Sequence, residues 1–310
     1  MKHLFIIGNG FDCYKHKLPT KYADFRKYIL LRYPDAENYD ELIPESTLMP
    51  NGDEKMDMED VAGYITRVID SCGGDEWKDL EYYLGAALFD ALHYDLDKVP
   101  WDGSDKETMR AVYNNENLSS NMRQTFVRIK SLFCDWVQEK LANLDLNGVK
   151  KDTVADVLKN GDGFLNFNYT RTLEEVYGIN SNLICHIHGQ VGDSPDRICF
   201  GHGDDESVPE WADSLGADSN LTELKRELQK DTRRALKLHE HFFENMNEIE
   251  TIHSFGFGFA DVDMYYIEEI SKRIDLSKAI WYLNKHDNKG TEKRRKLERM
   301  GFCVDVDYRW

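Results

Sequence analysis

Short apolar runs in this 310-residue chain end, again and again, in glycine, amide, imidazole or carboxylate residues. Those are the residue types that hold small polar ligands and move protons. The first run, His3 to Ile7, ends in Gly8-Asn9-Gly10-Phe11-Asp12. Glycines after a first strand let backbone N–H groups approach phosphate oxygens. The same residues suit a plain turn, with Asp12 as a helix N-cap or as a contact to a reacting sugar. Asn168 directly follows an apolar run at 164–167. Its amide offers a donor and an acceptor to a substrate hydroxyl or water, or an Asx turn to the backbone. Thr170 reads as the cap of a helix starting near Leu173.

His186 and His188 alternate and therefore share a strand face. His188, with Gly189, stands at the strand end, where a general base is needed; His186 reads as a hydrogen-bonded core histidine. Gly256-Phe257-Gly258 ends a later run, with Asp261 as a helix cap and Asp263 suited to a ribose hydroxyl or to a helix's first turn. Asn284 ends another. Glu81 falls on the apolar stripe of Trp77, Leu80 and Leu84 and needs a partner or a role. A metal site would combine His186, His188, His202, Asp204 and Asp205. Nothing in the spacing fixes a carboxylate beside the histidines, and the six cysteines form no CxxC pair, so no metal is expected.

The elements that must position these residues are legible in outline. Short apolar runs at 3–7, 164–167, 183–187, 198–200, 251–255, 279–283 and 302–306 read as strands, and helical stretches separate the later ones. This predicts an α/β, Rossmann-like, mostly parallel sheet of about six strands. A large helical insertion follows the first strand. The domain expectation is residues 1–20 with 150–310 as the nucleotide-binding core and 21–149 as the insertion. Within it, residues 35–58 and 94–120 read as irregular, and 126–148 as one long helix. A further long helix is expected from Leu221 to Phe242. In such sheets ligands bind at the carboxyl ends of the strands, where the residues above collect.

Composition narrows the class. Hydrophobic residues make up 41% and the net charge is −18. A surface that acidic repels nucleic acid and anionic lipid. No apolar run approaches the ~20 residues of a membrane-spanning helix. No signal peptide is read at the N-terminus, and scattered free thiols fit a cytoplasmic setting. The basic cluster at Lys293, Arg294, Arg295 and Lys296 reads as a solvated helix face.

The motifs IIGNGFD (6–12), LPTKYADF (18–25), WKDLE (77–81), FNYTRTLE (167–174), HIHG (186–189) and SFGFGFADVD (254–263) together resemble the bacteriophage abortive infection AbiH family. More distantly the constellation is similar to sirtuin-type NAD-binding domains. That resemblance implies NAD as ligand or substrate. Gly8, Asn9, Gly10 and Phe11 would form the first ligand turn, Pro19 the Ile-Pro segment, and Gly189 the partner of the catalytic histidine. Gly256, Gly258, Asp263 and Asn284 would complete the cofactor contacts. Asn168, His188 and Asp12 would carry the chemistry. The departures are Lys17 where the pattern has glycine, Asp12 for serine, Thr170 for aspartate, and no zinc cysteines. The missing zinc cysteines point away from deacylation and leave NAD⁺ cleavage to nicotinamide and ADP-ribose as the implied chemistry, whereas the changes at Lys17, Asp12 and Thr170 favour binding without chemistry. A sensor that binds NAD or ADP-ribose without chemistry, a metal-dependent hydrolase and an ADP-ribosyl transferase are the alternatives. A phage-derived trigger and a homo-oligomer are compatible with such a role.

Overall fold

The computed structural model describes residues 1–39, 43–52, 54–96, 105–203, 215–286 and 291–309. The chain divides into two compact units. One comprises Met1–Lys21, Val137–Cys199 and Asp231–Trp310; the other comprises Tyr22–Trp136 and Phe200–Lys230.

The first unit is built on a six-stranded sheet. Its strands are β1 (His3–Ile7), β2 (Gly163–Asn166), β3 (Ile184–His186), β4 (Thr251–Phe255), β5 (Ile280–Asn284) and β6 (Cys303–Asp307). Their order is β3-β2-β1-β4-β5-β6, and every neighbouring pair is parallel. Side chains alternate across the pleat. Leu4, Ile6, Leu165, Ile252 and Trp281 enter one core, with Tyr266, Ile267 and Ile270 of the helix Asp261–Arg273. Phe5, Ile7, Phe164 and Phe255 enter the core on the opposite face, with Val154, Val157 and Leu158 of the helix Asp152–Leu158. Burial on both faces is why these strands read as continuous apolar runs. The strand order reverses direction between β1 and β4, which makes their carboxyl ends the topological switch point of a Rossmann-like sheet.

Residues 198–200 form no strand. Cys199 N–H donates to His188 O at 2.9 Å, and Tyr169 Oη–H donates to Cys199 O at 2.9 Å. The run is pinned to strand-end loops rather than laid into the sheet.

The second unit is helical. It holds Tyr22–Arg32, Met58–Gly73, Leu80–Tyr83, Ala86–Leu96, Asp105–Phe126, most of Arg128–Glu139, and Asp218–Leu228. Residues 105–120, expected to be irregular, belong to the helix Asp105–Phe126. Its buried stripe contains Asn115 and Ser119 beside Met122 and Phe126, and this half-polar pattern hides the helical period. Residues 35–58 contain the turn Pro34–Asn38 and a two-stranded hairpin of Thr47–Leu48 with Glu54–Lys55. The long helix expected over 126–148 ends at Glu139. The one expected from Leu221 to Phe242 is three helices, because Gln229 is extended and the Asp231 side chain caps Arg234 N–H to start a new one. Glu81 has its partner: Lys230 Nζ lies 3.0 Å away, with only 1% of the lysine side chain exposed. Among the described residues no helix is long and apolar enough to cross a membrane.

Candidate functional site

The carboxyl ends of β1 and β4 are held together by glycine. A Cβ on Gly8 would stand 2.5 Å from Gly256 O, and one on Gly10 would stand 2.6 Å from Gly256 Cα. Gly256 itself has φ +64°, and its Cβ would meet Phe11 N at 2.3 Å. The three glycines therefore allow backbone to lie on backbone. Their amides are committed in the process. Gly8 N–H donates to Phe255 O and Gly10 N–H to Gly256 O, both at 3.0 Å, and Phe11 N–H returns to Gly8 O at 2.9 Å. Asn9 ties down the next loop: its Nδ2 donates to Thr20 O at 2.7 Å, and Thr20 Oγ1 donates to Asn9 Oδ1 at 2.6 Å. Pro19 stays exposed between the buried Leu18 and Thr20.

Past this turn the chain enters a single π-helical turn, Phe11–His16. Phe11 is fully buried in the core, with its ring 5.5 Å from that of Phe255. Asp12 is fully buried as well. Burial pushes its carboxyl up to about 6, against the pull of the Thr170 and Thr172 hydroxyls and the charge of His186. Thr170 Oγ1 donates to Asp12 Oδ2. Thr170 is thus the partner of Asp12 and not the expected helix cap; the helix Thr172–Tyr177 begins without a side-chain cap.

Asn168 joins β2 to β1. The Asx turn that its type allows is made instead by Asn166, whose Oδ1 accepts from Asn168 N–H at 3.1 Å. This frees the Asn168 side chain, and its Nδ2 donates to Gly8 O at 3.3 Å. His186 fixes the same loop from below. Its Nδ1–H donates to Asn168 O at 3.1 Å, and Nε2 lies 2.9 Å from Glu174 Oε1. Among the described residues three buried acceptors around this loop receive no hydrogen bond: Asp12 Oδ1, Asn168 Oδ1 and Glu174 Oε2.

His188 does not share the face of His186 that alternation along a strand predicts, because β3 ends at His186; it lies on the other face of the sheet. Its ring meets Phe167 edge-on at 5.1 Å and Tyr266 at 5.6 Å, and it is 3% exposed. Nε2 is 3.4 Å from Asp263 Oδ1. That is an ion-pair approach rather than a hydrogen bond. Gly189 N–H donates to His186 O at 3.0 Å and closes the turn behind the histidine.

The loop after β4 is braced from a helix. Lys293 Nζ donates to Phe257 O at 3.0 Å; Lys296 Nζ donates to Phe259 O at 3.2 Å and meets Asp261 Oδ1 at 2.7 Å. The basic cluster is therefore partly a clamp and not only a solvated face. Asp261 is the first helical residue, and Ala260 occupies the cap position expected of it. Gly258 is exposed, with open space where a Cβ would be. Asn284 makes its own turn: its Oδ1 accepts from His286 N–H at 2.9 Å.

The expected residues thus gather in two linked groups: Gly8, Gly10, Asp12, Asn168 and Gly256 at the switch point, and His188 with Asp263. His202, expected as a possible metal partner, sits in the second unit with Nε2 on Lys225 O at 2.9 Å. Asp204 and Asp205 lie outside the described residues. No group of three His, Cys, Asp or Glu among the described residues is placed to hold a metal ion.

A parallel six-stranded sheet with helices on both faces and polar side chains gathered at its switch point defines an α/β, Rossmann-like protein. The family model for bacteriophage abortive infection AbiH matches residues 4–285, and the chain belongs to that family. Its role lies accordingly in anti-phage abortive infection. No curated protein and no solved structure matches the chain, so the likeness to sirtuin-type domains rests on the motifs alone.

Proposed function

We propose that this protein is an NAD⁺ glycohydrolase of abortive infection, releasing nicotinamide and ADP-ribose. The observation that carries the reading is the pair of buried acceptors without donors, Asp12 Oδ1 and Asn168 Oδ1, at the switch point. Each leaves a desolvation cost that a donor from a ligand would offset. Ribose hydroxyls are donors and fit; phosphate oxygens are acceptors and do not. The committed amides of Gly8 and Gly10 also do not fit the phosphate-holding role expected of them.

In this reading Asn168 and Asp12 orient the nicotinamide ribose. Asp12, ionised above about pH 6, stands against the positive charge that grows on the sugar as its bond to nicotinamide breaks. His188 takes a proton from the attacking water, whose oxygen bonds to the sugar carbon, while the electron pair of the broken bond leaves with neutral nicotinamide. Asp263, 3.4 Å from Nε2, offers a carboxylate to the imidazolium that forms. Loss of NAD would halt the infected cell.

One observation favours a second reading, a sensor of NAD or ADP-ribose that does no chemistry. The His188 ring is enclosed by Phe167 and Tyr266 and is 3% exposed, which restricts water. Nicotinamide release by wild type and Asn168→Ala separates the two. Glycohydrolysis requires turnover by the wild type and its loss in the variant. A variant that cleaves NAD⁺ at the wild-type rate removes the assignment.

A further inference from the structure

Three lysines gather near the carboxyl edge of the sheet in a chain whose net charge is −18. Lys15 projects from the π-helical turn after β1, with Nζ 5.9 Å from the centre of the Phe255 ring at the end of β4. Lys285 directly follows the last residue of β5. Lys151 precedes the helix Asp152–Leu158 that leads into β2, and a helix crossing back along a parallel sheet begins at the strands' carboxyl edge. Lys151 N–H donates to Tyr177 Oη at 3.4 Å, and Tyr177 Oη lies 2.6 Å from His16 Nε2 in the same turn as Lys15. Partial burial, and then the like charges of Lys285 and Lys151, hold the Lys15 ammonium below the ordinary lysine value. Burial is also the main reason that His16 is held below the usual histidine value, with Lys151 and Lys15 adding to it.

Like charges near one another repel, and a surface rich in carboxylates offers many ways to pair them. Lys2, Lys159, Lys272, Lys278 and Lys296 are all paired. Among the described residues none of Lys15, Lys151 and Lys285 has a carboxylate partner. Lys15 lies on the face of Phe255 and Phe11, whereas His188 lies on the face of Phe167 and Tyr266. A ligand touching both must run over the sheet edge, past the unpaired acceptors of Asp12 and Asn168.

We infer that Lys15, Lys151 and Lys285 form the site for the phosphate groups of a dinucleotide whose ribose lies at Asp12 and Asn168. This rests on the proposed NAD reading. It supplies the cationic contacts that the Gly8 and Gly10 amides do not. The patch also draws anionic ligand toward an otherwise repelling surface.

The test is calorimetric titration of ADP-ribose, inorganic pyrophosphate and nicotinamide riboside into the wild type, Lys15→Ala/Lys285→Ala and Lys151→Ala. Losing a charge-assisted contact to phosphate costs about tenfold in affinity. The expected result is that ADP-ribose and pyrophosphate bind at least about tenfold more weakly to the double variant, and less steeply with salt. Binding of nicotinamide riboside, which has no phosphate, should be unchanged. Wild-type affinity of the double variant for ADP-ribose or pyrophosphate overturns the inference, as does a wild type that binds neither. A wild type that binds pyrophosphate through these lysines but neither ADP-ribose nor nicotinamide riboside upholds the anion site and overturns the NAD reading instead.

Discussion

The imidazole of His188 and the carboxylate of Asp263 lie 3.4 Å apart, joining the loop after β3 to the helix that follows β4. The two residues are far apart in sequence and come from opposite sides of the switch point. Such imidazole–carboxylate contacts are often long without substrate and tighten on binding. If His188 is the base, its replacement by alanine should reduce nicotinamide release by about 10²–10⁴-fold. Asp263→Asn should reduce kcat by less, about tenfold or more, with KM little changed and unfolding temperature within a few degrees. A kcat for Asp263→Asn equal to wild type would leave the pair structural.

Asp12 makes folding stability depend on pH. Its carboxyl sits at about 6 in the folded chain and near 3.8 when unfolded, so between these values the folded state holds the extra proton. Its contribution to stability is therefore greatest below about pH 4 and is lost as pH rises to about 6. The loss is on the order of 3 kcal/mol for roughly two pH units. Asn in place of Asp keeps the oxygen that accepts from Thr170 and removes the titration. Relative to wild type, Asp12→Asn should gain stability in denaturant melts at pH 8 compared with pH 4, while nicotinamide release falls. A pH-independent difference between the two proteins would contradict the buried-carboxylate assignment.

The glycines of one loop should behave oppositely. Gly256→Ala puts a Cβ 2.3 Å from Phe11 N at a φ of +64°, and should cost more than about 2 kcal/mol in chemical denaturation. Gly258→Ala meets nothing within 4 Å and should stay within about 0.5 kcal/mol of wild type. Equal effects would mean that β1 and β4 do not meet backbone to backbone.

Lys17 has a φ of +62°, in the left-handed region that favours glycine. Lys17→Gly should stabilise the protein by about 0.5–1 kcal/mol, since a non-glycine residue in the left-handed region bears a steric cost. A destabilised variant would show that the lysine side chain supports the Leu18–Thr20 loop.

The sheet was legible because its central strands are buried on both faces and read as apolar runs ending in chemistry-bearing residues. The strand order was not, because parallel pairing depends on contacts between distant segments. The helix Asp105–Phe126 stayed hidden behind Asn115 and Ser119 on its buried stripe. In the site, residue types and strand-end positions pointed to Asp12, Asn168 and His188. Pairings escaped: Thr170 with Asp12, Asp263 with His188, and Lys293 with the carbonyl of Phe257. Each joins residues more than 30 positions apart, and local pattern assigned them nearer tasks such as capping. The Asx turn was foreseen two residues late, at Asn168 instead of Asn166; the Asn-Phe-Asn spacing permits both.

The most direct measurement is chromatography of nicotinamide and ADP-ribose after incubating NAD⁺ with the purified protein. It should be run with and without lysate of phage-infected cells, beside His188→Ala. The account requires nicotinamide and ADP-ribose in equal amounts from the wild type in at least one condition, and loss of both in the variant. NAD⁺ left intact by the wild type in both conditions, or consumed equally by His188→Ala, would contradict it.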